Sequence, residues 1–356
     1  MLRTPPEIAR LRLHNQLISQ STARTPAEVV AWLGAVQAQD FAGAKWSLAL
    51  RLPGATEATI EQAIRDKTIV RTWPMRGTLH FVAAADVRWL LPLLAPRIVA
   101  RTAGRYRQLE LDEATFNRSA KVLTRALQGQ RRLARPQVYA LLEANGISPA
   151  GQRGIHIIGY LAQTGLICEG PQEGAQPSFV LLDEWVPPTA SLAREEALGR
   201  LAQRYFTSHG PATLQDFVWW TGLTMGDARL ALQLAQSALT SVTIAGNTYW
   251  LAGAISSQLP PLQAYLLPGF DEFMLGYTDR SAALAPQHRP LLTPTNGMLS
   301  ATMVMDGQVV GTWRRTLRKQ GVAVELSPFE PLPAGQQELL KSAVARYGAY
   351  LGLPVV

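Results

Sequence analysis

The feature that most constrains the fold of this 356-residue chain is a local pattern that occurs three times. Each copy predicts three helices followed by two short strands that a turn connects. The first copy opens at Thr25-Pro26, where Thr suits the N-cap and Pro the first helical position. The predicted strand pairs cover 69–82, then 166–169 with 178–182, then 240–245 with 248–251. A repeat of this kind predicts consecutive modules.

Three helices closed by a small hairpin make a winged helix, so the sequence predicts an α+β fold with three tandem winged-helix modules. The expected boundaries are 1–110, which includes N-terminal and linking helices, then 111–186 and 187–258. Residues 259–356 are expected to form a C-terminal β-rich domain, packed on the modules and closed by a helix. Its predicted elements are strands at 264–267, 299–306, 309–318 and 321–327 and a helix over 334–351.

Two glutamines stand out because of where they fall. Gln37 and Gln39 follow the helix that opens the first module. On a continuing helix they would lie about 200° apart. They point the same way only if the backbone opens after Val36 into an extended turn. The adjacent Asp40 would then face away, and it is predicted to cap a helix or to pair with an arginine.

The first hairpin carries three further candidates. Arg71 and Arg76 flank its Trp73-Pro turn, and each is interpreted either as a phosphate contact or as a salt-bridge residue. His80 lies on one face of the return strand with Thr78. It is either a structural histidine or a contact to DNA or the active site. Further along the chain, the adjacent Asp271 and Glu272 are interpreted as salt-bridge or turn residues.

Basic residues exceed acidic ones by 34 to 26, a net charge of +8. The excess is nearly all arginine, which indicates either a polyanionic partner or a genome that favours arginine codons. Arg153 and His156 open the third helix of the second module and would face DNA. The densest basic cluster is predicted to contact the DNA backbone, although a solvated edge that blocks sheet pairing remains the alternative. Its members are Arg314, Arg315, Arg318 and Lys319, of which Arg314, Arg318 and Lys319 are the predicted DNA contacts.

Several classes of protein are disfavoured. One cysteine, Cys168, rules out an internal disulfide and a cysteine-based zinc site, and five scattered histidines make a metal centre improbable. No metal and no cofactor are therefore expected. A basic-then-apolar leader is missing, and the most apolar window is too short to span a bilayer. The protein is expected to be a cytoplasmic monomer without membrane contact.

Four motifs together resemble the tandem winged-helix DNA glycosylases, and most closely the azinomycin-resistance glycosylases of the AlkZ type. The motifs are Val36-Gln-Ala-Gln39-Asp, Arg71-Thr-Trp-Pro-Met-Arg-Gly-Thr-Leu-His80, Gly210-Pro-Ala-Thr-Leu-Gln-Asp-Phe-Val-Trp-Trp220 and Leu266-Leu-Pro-Gly-Phe-Asp271-Glu-Phe. The resemblance spans nearly the whole chain. It implies a C-shaped body around a DNA channel, excision of bulky N7-alkylguanine from double-stranded DNA, including interstrand crosslinks, and a hairpin of the C-terminal strands that reaches into the DNA. The family's catalytic pair falls on Gln37 and Gln39, whereas the related YcaQ branch has an acid at the second position.

The chemistry fits these residues. Alkylation at N7 gives guanine a positive charge, so the base leaves without a strong general acid. A glutamine carbonyl can accept a hydrogen bond from water, and its NH₂ group can hold a phosphate or sugar oxygen. The sequence thus predicts a monofunctional DNA glycosylase with an open channel rather than a snug pocket. The alternatives are that the glutamines merely cap a helix, and that the protein is a non-catalytic winged-helix DNA-binding or regulatory protein or a lesion-binding recruiter of repair enzymes.

Overall fold

The computed structural model describes residues 4–189, 191–253, 261–292 and 299–356, and the predicted boundary at 258/259 lies outside this part. The helices are α1 (Pro5–Asn15), α2 (Pro26–Leu33), α3 (Phe41–Leu50), α4 (Glu57–Arg65), α5 (Ala84–Gln108), α6 (Glu113–Leu127), α7 (Arg135–Ala144), α8 (Arg153–Gln163), α9 (Leu182–Trp185), α10 (Arg194–Ser208), α11 (Leu214–Thr221), α12 (Met225–Ala235), α13 (Glu272–Leu275), α14 (Arg289–Leu292) and α15 (Ala334–Leu351).

The strands form three antiparallel sheets in the described part of the chain. The first sheet has the order β1-β3-β2-β5-β6-β4, the second β12-β11-β10-β9, and the third pairs β7 with β8. The strands are β1 (Val36–Gln37), β2 (Ile69–Met75), β3 (Thr78–Ala83), β4 (Leu133–Ala134), β5 (Ile167–Glu169), β6 (Ser178–Leu181), β7 (Leu239–Ile244), β8 (Asn247–Ala252), β9 (Ala264–Leu267), β10 (Thr302–Met305), β11 (Gln308–Arg318) and β12 (Gly321–Pro328).

The same element order recurs along the chain. Helices α2, α3 and α4 precede the hairpin β2-β3, helices α6, α7 and α8 precede β5-β6, and helices α10, α11 and α12 precede β7-β8. In each unit a short extended segment after the first helix pairs with the return strand of the hairpin. The pairs are Val36 with Phe81, Leu133 with Phe179, and Ala212 with Trp250. The segment that carries the two glutamines is therefore one instance of a repeated structural position.

The hairpins of the first two units belong to one sheet, although the sequence predicted them as parts of consecutive modules. Strand β2 pairs with β5 at Arg71 and Glu169, which joins the two hairpins into one six-stranded sheet. The first unit also shares its core with the C-terminal residues, because Leu33 and Trp46 belong to the same buried cluster as Leu266. Contacts between distant parts of the chain thus surround the glutamine segment.

Most predicted elements are present, with shifted ends. Helix α15 has the predicted bounds. Helix α3 begins at Phe41, because the Asp40 side chain accepts a hydrogen bond from the Gly43 N–H at 3.1 Å and caps the helix. Of the two roles predicted for Asp40, the helix cap is confirmed. In the described residues, the helices that reach bilayer-spanning length lack the hydropathy to cross a membrane.

Candidate active site

The two glutamines follow the end of helix α2, with Gln37 on the short strand β1 and Gln39 in the bend after it. Helix α2 ends at Leu33 because Gly34 adopts a φ of +84°, a conformation that glycine takes readily. Gln37 then pairs with His80, and the Ala38 N–H donates to the Leu79 carbonyl at 2.7 Å. The predicted opening of the helix is thus confirmed, but it starts at Gly34 rather than after Val36.

The two amides are held differently. Gln39 is exposed, and its Oε1 accepts a hydrogen bond from the Leu79 N–H at 3.3 Å, so its NH₂ group is the end left for a ligand. Gln37 is half-buried, and its Oε1 is covered without a hydrogen-bond partner among the described residues. The terminal torsion of a glutamine is broad, so this amide can turn its oxygen outward. Gln39 is anchored, whereas Gln37 is free to reorient.

A buried arginine fixes the backbone between the glutamines. The Arg71 side chain donates to the Ala38 carbonyl from Nε at 2.9 Å and from Nη2 at 2.7 Å, and Nη1 pairs with Glu169. Burial lowers the pKa of Arg71, and the charge of Glu169 opposes this effect. Because the guanidinium is buried and engaged, the phosphate-contact interpretation of Arg71 is wrong and the salt bridge is confirmed.

Glu272 lies behind Gln37 and is fully buried. Its Oε1 accepts from the Gln37 N–H at 2.9 Å, and its Oε2 accepts from the Trp220 indole at 2.8 Å. Burial by itself would raise the pKa of this carboxyl, but contact with His209 and the charge of Arg76 outweigh burial and lower the pKa to about 2. Glu272 is therefore a buried anion that supports the backbone of Gln37. Its proximity to Gln37 could not be inferred from a sequence separation of 235 residues.

The neighbouring Asp271 has a separate structural role. Its carboxylate forms a buried salt bridge with Arg51 at 2.8 Å and accepts a hydrogen bond from the Phe273 N–H at 2.9 Å. The interpretation of Asp271 as a salt-bridge and turn residue is confirmed.

His80 and Arg76 form a pair that faces inward. The Nδ1–H of His80 donates to the Thr78 carbonyl at 2.9 Å, so Nε2 is the acceptor for the Arg76 guanidinium at 3.1 Å. Burial, followed by the charge of Arg76, lowers the pKa of His80 to about 3. His80 is a neutral structural histidine, and the prediction of a DNA contact is wrong because the side chain is buried. Burial also lowers the pKa of Arg76 against the charge of Glu272. Arg76 is only half-buried, and its phosphate contact stays a prediction.

Known proteins resemble this chain over nearly its whole length. The profile of the family described as DNA glycosylase AlkZ-like matches residues 30–350. The chain belongs to the AlkZ-like DNA glycosylase family. An "Interstrand DNA cross-link repair glycosylase" of Streptomyces sahachiroi is 27% identical over 97% of this chain and 96% of its own length. Among solved structures, the Streptomyces sahachiroi DNA glycosylase AlkZ superimposes with a TM-score of 0.79 at 24% identity over 100% of both chains.

In this AlkZ-like glycosylase the predicted recognition residues of the second unit are engaged in the fold. Arg153 donates to the Ser148 carbonyl at 3.0 Å, to the Glu110 carbonyl at 3.2 Å and to the Leu109 carbonyl, which ties α8 to the end of α5. Arg153 is only half-buried, and its DNA contact stays a prediction. His156 is half-buried with its ring 5.9 Å from that of Tyr106, and its DNA contact stays a prediction.

The basic cluster of the glycosylase lies on its longest hairpin. Strands β11 and β12 pair from Gly311 with Pro328 to Arg318 with Gly321. The hairpin therefore turns at 318–321, between the strands predicted at 309–318 and 321–327. Leu317, next to the turn, is 62% exposed. Arg314, Arg318 and Lys319 are exposed and have no ion-pair partner among the described residues, so their DNA contacts stay predictions.

Proposed function

We propose that this enzyme hydrolyses the N-glycosidic bond of bulky N7-alkylguanine in double-stranded DNA, including interstrand crosslinks. The family and the printed name of the Streptomyces sahachiroi relative support this substrate class. The observation that carries the mechanism is the pair of glutamines two residues apart after helix α2, with Gln39 exposed and its oxygen fixed by the Leu79 N–H.

The two glutamines would have different tasks. The Oε1 of Gln37 has no described partner, and once it is turned outward it can accept a hydrogen bond from the water that attacks C1′ of the sugar. Gln39 would present its NH₂ group to a phosphate or sugar oxygen. A neutral amide cannot take the proton fully, so it forgoes part of the roughly 10²–10⁴-fold acceleration that a general base supplies.

Glu272 is not a proton donor or base in this scheme. It is ionised, with a pKa of about 2, so it has no proton to give to the departing base. Both of its oxygens accept hydrogen bonds from within the protein, so it is not placed to take one from water. A cationic N7-alkylguanine needs little help to leave, which is consistent with a site whose acid is structural.

The body around this site is proposed to be three winged helices and the C-terminal domain, arranged as a C around a DNA channel. The recurring order of three helices, hairpin and paired extended segment supports the winged-helix assignment. The divisions 1–110, 111–186, 187–258 and 259–356, a monomeric state and a cytoplasmic location belong to the same proposal. The β11-β12 hairpin, with its exposed Leu317 and free cations, is proposed to reach into the DNA.

A base-release assay tests the proposal. The enzyme is incubated with duplexes that contain N7-methylguanine or a bulky N7 adduct, and free modified guanine is quantified. We expect release, and we expect Gln37→Ala and Gln39→Ala to abolish it while duplex binding is retained. Gln233→Ala, an exposed glutamine on α12, is the matched control and should keep activity. Duplex binding without release of either base by the unmodified enzyme would contradict the proposed reaction.

A further inference from the structure

A cleft of about 330 Å³ begins at Asp40, the residue directly after Gln39. Strand β11 and helices α3 and α15 contribute to its walls, so it lies where the first unit meets the C-terminal residues. Adjacent Cα atoms are about 3.8 Å apart, so the lining of the cleft includes a residue whose backbone is adjacent to that of Gln39. We refer to it as the aromatic cleft, and its defining residues are Asp40, Trp46, Phe270, Trp313, Arg314 and Tyr347.

Buried aromatic rings form an apolar floor in the aromatic cleft. The Trp46 and Trp313 rings meet Tyr347 edge to face, with centroids 5.0 and 4.9 Å away. Their polar atoms are satisfied elsewhere, because Trp46 Nε1 donates to the Leu266 carbonyl at 2.7 Å and Trp313 Nε1 to the Leu267 carbonyl at 2.8 Å. A floor of buried rings without free donors suits a planar, largely apolar group.

The rim narrows the choice of ligand. One acidic side chain, the exposed Asp40, and two arginines, Arg314 and Arg315, also line the cleft, and Arg315 donates to the Tyr347 hydroxyl. Arg314 is exposed without an ion-pair partner among the described residues, and a planar guanidinium can stack on an aromatic ring. A guanidinium beside a floor of aromatic rings therefore suits a planar aromatic substituent.

One wall is held in a strained conformation. Phe270 has a φ of +64°, in the left-handed region that bulky residues rarely adopt. The preceding Gly269 is packed so closely that a Cβ there would lie 2.6 Å from the Leu299 carbonyl oxygen. Strain of this kind persists where surrounding structure enforces it, often at ligand sites. The turn between β9 and α13 thus places the half-buried Phe270 ring at the side of the cleft.

We propose that the aromatic cleft binds the substituent that the lesion carries on N7, and that it prefers a planar aromatic group. This inference rests on the proposed function, since a base positioned at Gln39 would place its substituent at the mouth of the cleft. The cleft would act on selectivity among lesions, whereas bond hydrolysis would depend on the two glutamines.

The test compares two lesions that differ only in the substituent. Duplexes with N7-methylguanine and with N7-(naphthylmethyl)guanine are assayed for base release and for binding. Ala301 lines the cleft, and Ala301→Phe should fill it. We expect kcat/KM for the naphthylmethyl lesion to fall by about tenfold or more, in the range that hydrophobic pockets discriminate. Release of N7-methylguanine should be unchanged.

A second variant and a control complete the design. Phe270→Ala removes a wall and should also lower the preference for the naphthylmethyl lesion. Phe329→Ala removes another half-buried ring, which packs on His288 with centroids 4.4 Å apart, and should leave the preference intact. If Ala301→Phe lowers release of both lesions equally, or of neither, the cleft is not the substituent site.

The two proposals can fail separately. Absence of release of either base by the unmodified enzyme overturns the proposed function. Binding then still tests the cleft, because the unmodified enzyme should bind the naphthylmethyl duplex more tightly than the methyl duplex, and Ala301→Phe should remove the difference. Equal affinity of the unmodified enzyme for both duplexes overturns the cleft proposal.

Discussion

The backbone N–H of Gln37 donates to the fully buried carboxylate of Glu272 at 2.9 Å. This bond connects the first unit to helix α13, across 235 residues of sequence. The same carboxylate accepts from the Trp220 indole of the third unit. The position of a candidate catalytic residue is thus set by an anion that three parts of the chain share.

Glu272→Gln should weaken the support that the carboxylate gives to the backbone of Gln37. An amide has one acceptor oxygen, so its NH₂ group would face either the Gln37 N–H or the Trp220 indole, and the nearby charge of Arg76 would lose its counter-charge. We expect a loss of about 3 kcal/mol in the free energy of unfolding, in the range for breaking a buried pair. Urea unfolding at pH 7 measures this loss.

Base release by Glu272→Gln should also fall under conditions where the variant is folded, while duplex binding persists. Glu338→Gln, an exposed site on α15, is the control. Unchanged stability and unchanged release in Glu272→Gln would show that the carboxylate does not position Gln37.

Arg71 should affect both stability and catalysis. Arg71→Met leaves the buried Glu169 without its partner and the Ala38 carbonyl without two donors. We expect a loss of about 3–5 kcal/mol of unfolding free energy, since an unpaired buried charge is costly. Thermal and urea unfolding check this loss.

The double variant Arg71→Met/Glu169→Gln separates the two effects. Removal of the unpaired charge should restore part of the stability, but base release should remain low because the Ala38 carbonyl between the two glutamines still lacks its donors. Recovery of full activity along with stability would argue that Arg71 does not orient the glutamine segment.

His80 makes stability depend on pH. Its pKa is about 3 in the folded protein against about 6.5 when unfolded, so the unfolded chain binds the proton first as the pH falls. The contribution of His80 is therefore complete above pH 6.5 and is lost between about pH 6.5 and about pH 3. The slope in this window should be about 1.4 kcal/mol per pH unit.

His80→Gln keeps an acceptor for Arg76 but cannot titrate. Urea unfolding at pH 4, 5 and 6 should show a shallower dependence for this variant than for the unmodified enzyme. His288→Gln keeps His80 and should retain the original dependence. Equal slopes in all three proteins would indicate that His80 is not kept neutral by the fold.

The cations of the β11-β12 hairpin should control the salt dependence of DNA binding. Each phosphate contact contributes about 0.9 to the slope of log affinity against log salt concentration on duplex DNA. Substitution of Arg314, Arg318 and Lys319 by glutamine should therefore reduce the slope by about 2–3. Fluorescence anisotropy across a salt series measures it. Lys341→Gln on α15 is the control. If the triple variant kept the original slope, these cations would not contact phosphates, and the alternative interpretation of the cluster as a solvated edge would hold.

Local patterns in the sequence determined what depends on neighbouring residues. The capped start of α2, the bounds of α15 and the turn between β2 and β3 follow from residue types within a few positions. The opening of the backbone before Gln37 was also foreseeable, because on a continuing helix the two amides would lie about 200° apart. The geometry by itself left the role of the two glutamines open, and the family resemblance supplied the expectation that they are catalytic.

Tertiary structure decided the role of each charged or titratable side chain around this pair. Arg71 and His80 could each have contacted DNA, and only burial against Glu169, 98 residues from Arg71, and against Arg76 showed that both support the fold. The physical reason is that the environment of a charge depends on which distant residues pack around it. Sequence periodicity reports the face on which a side chain lies, but it does not report what covers that face.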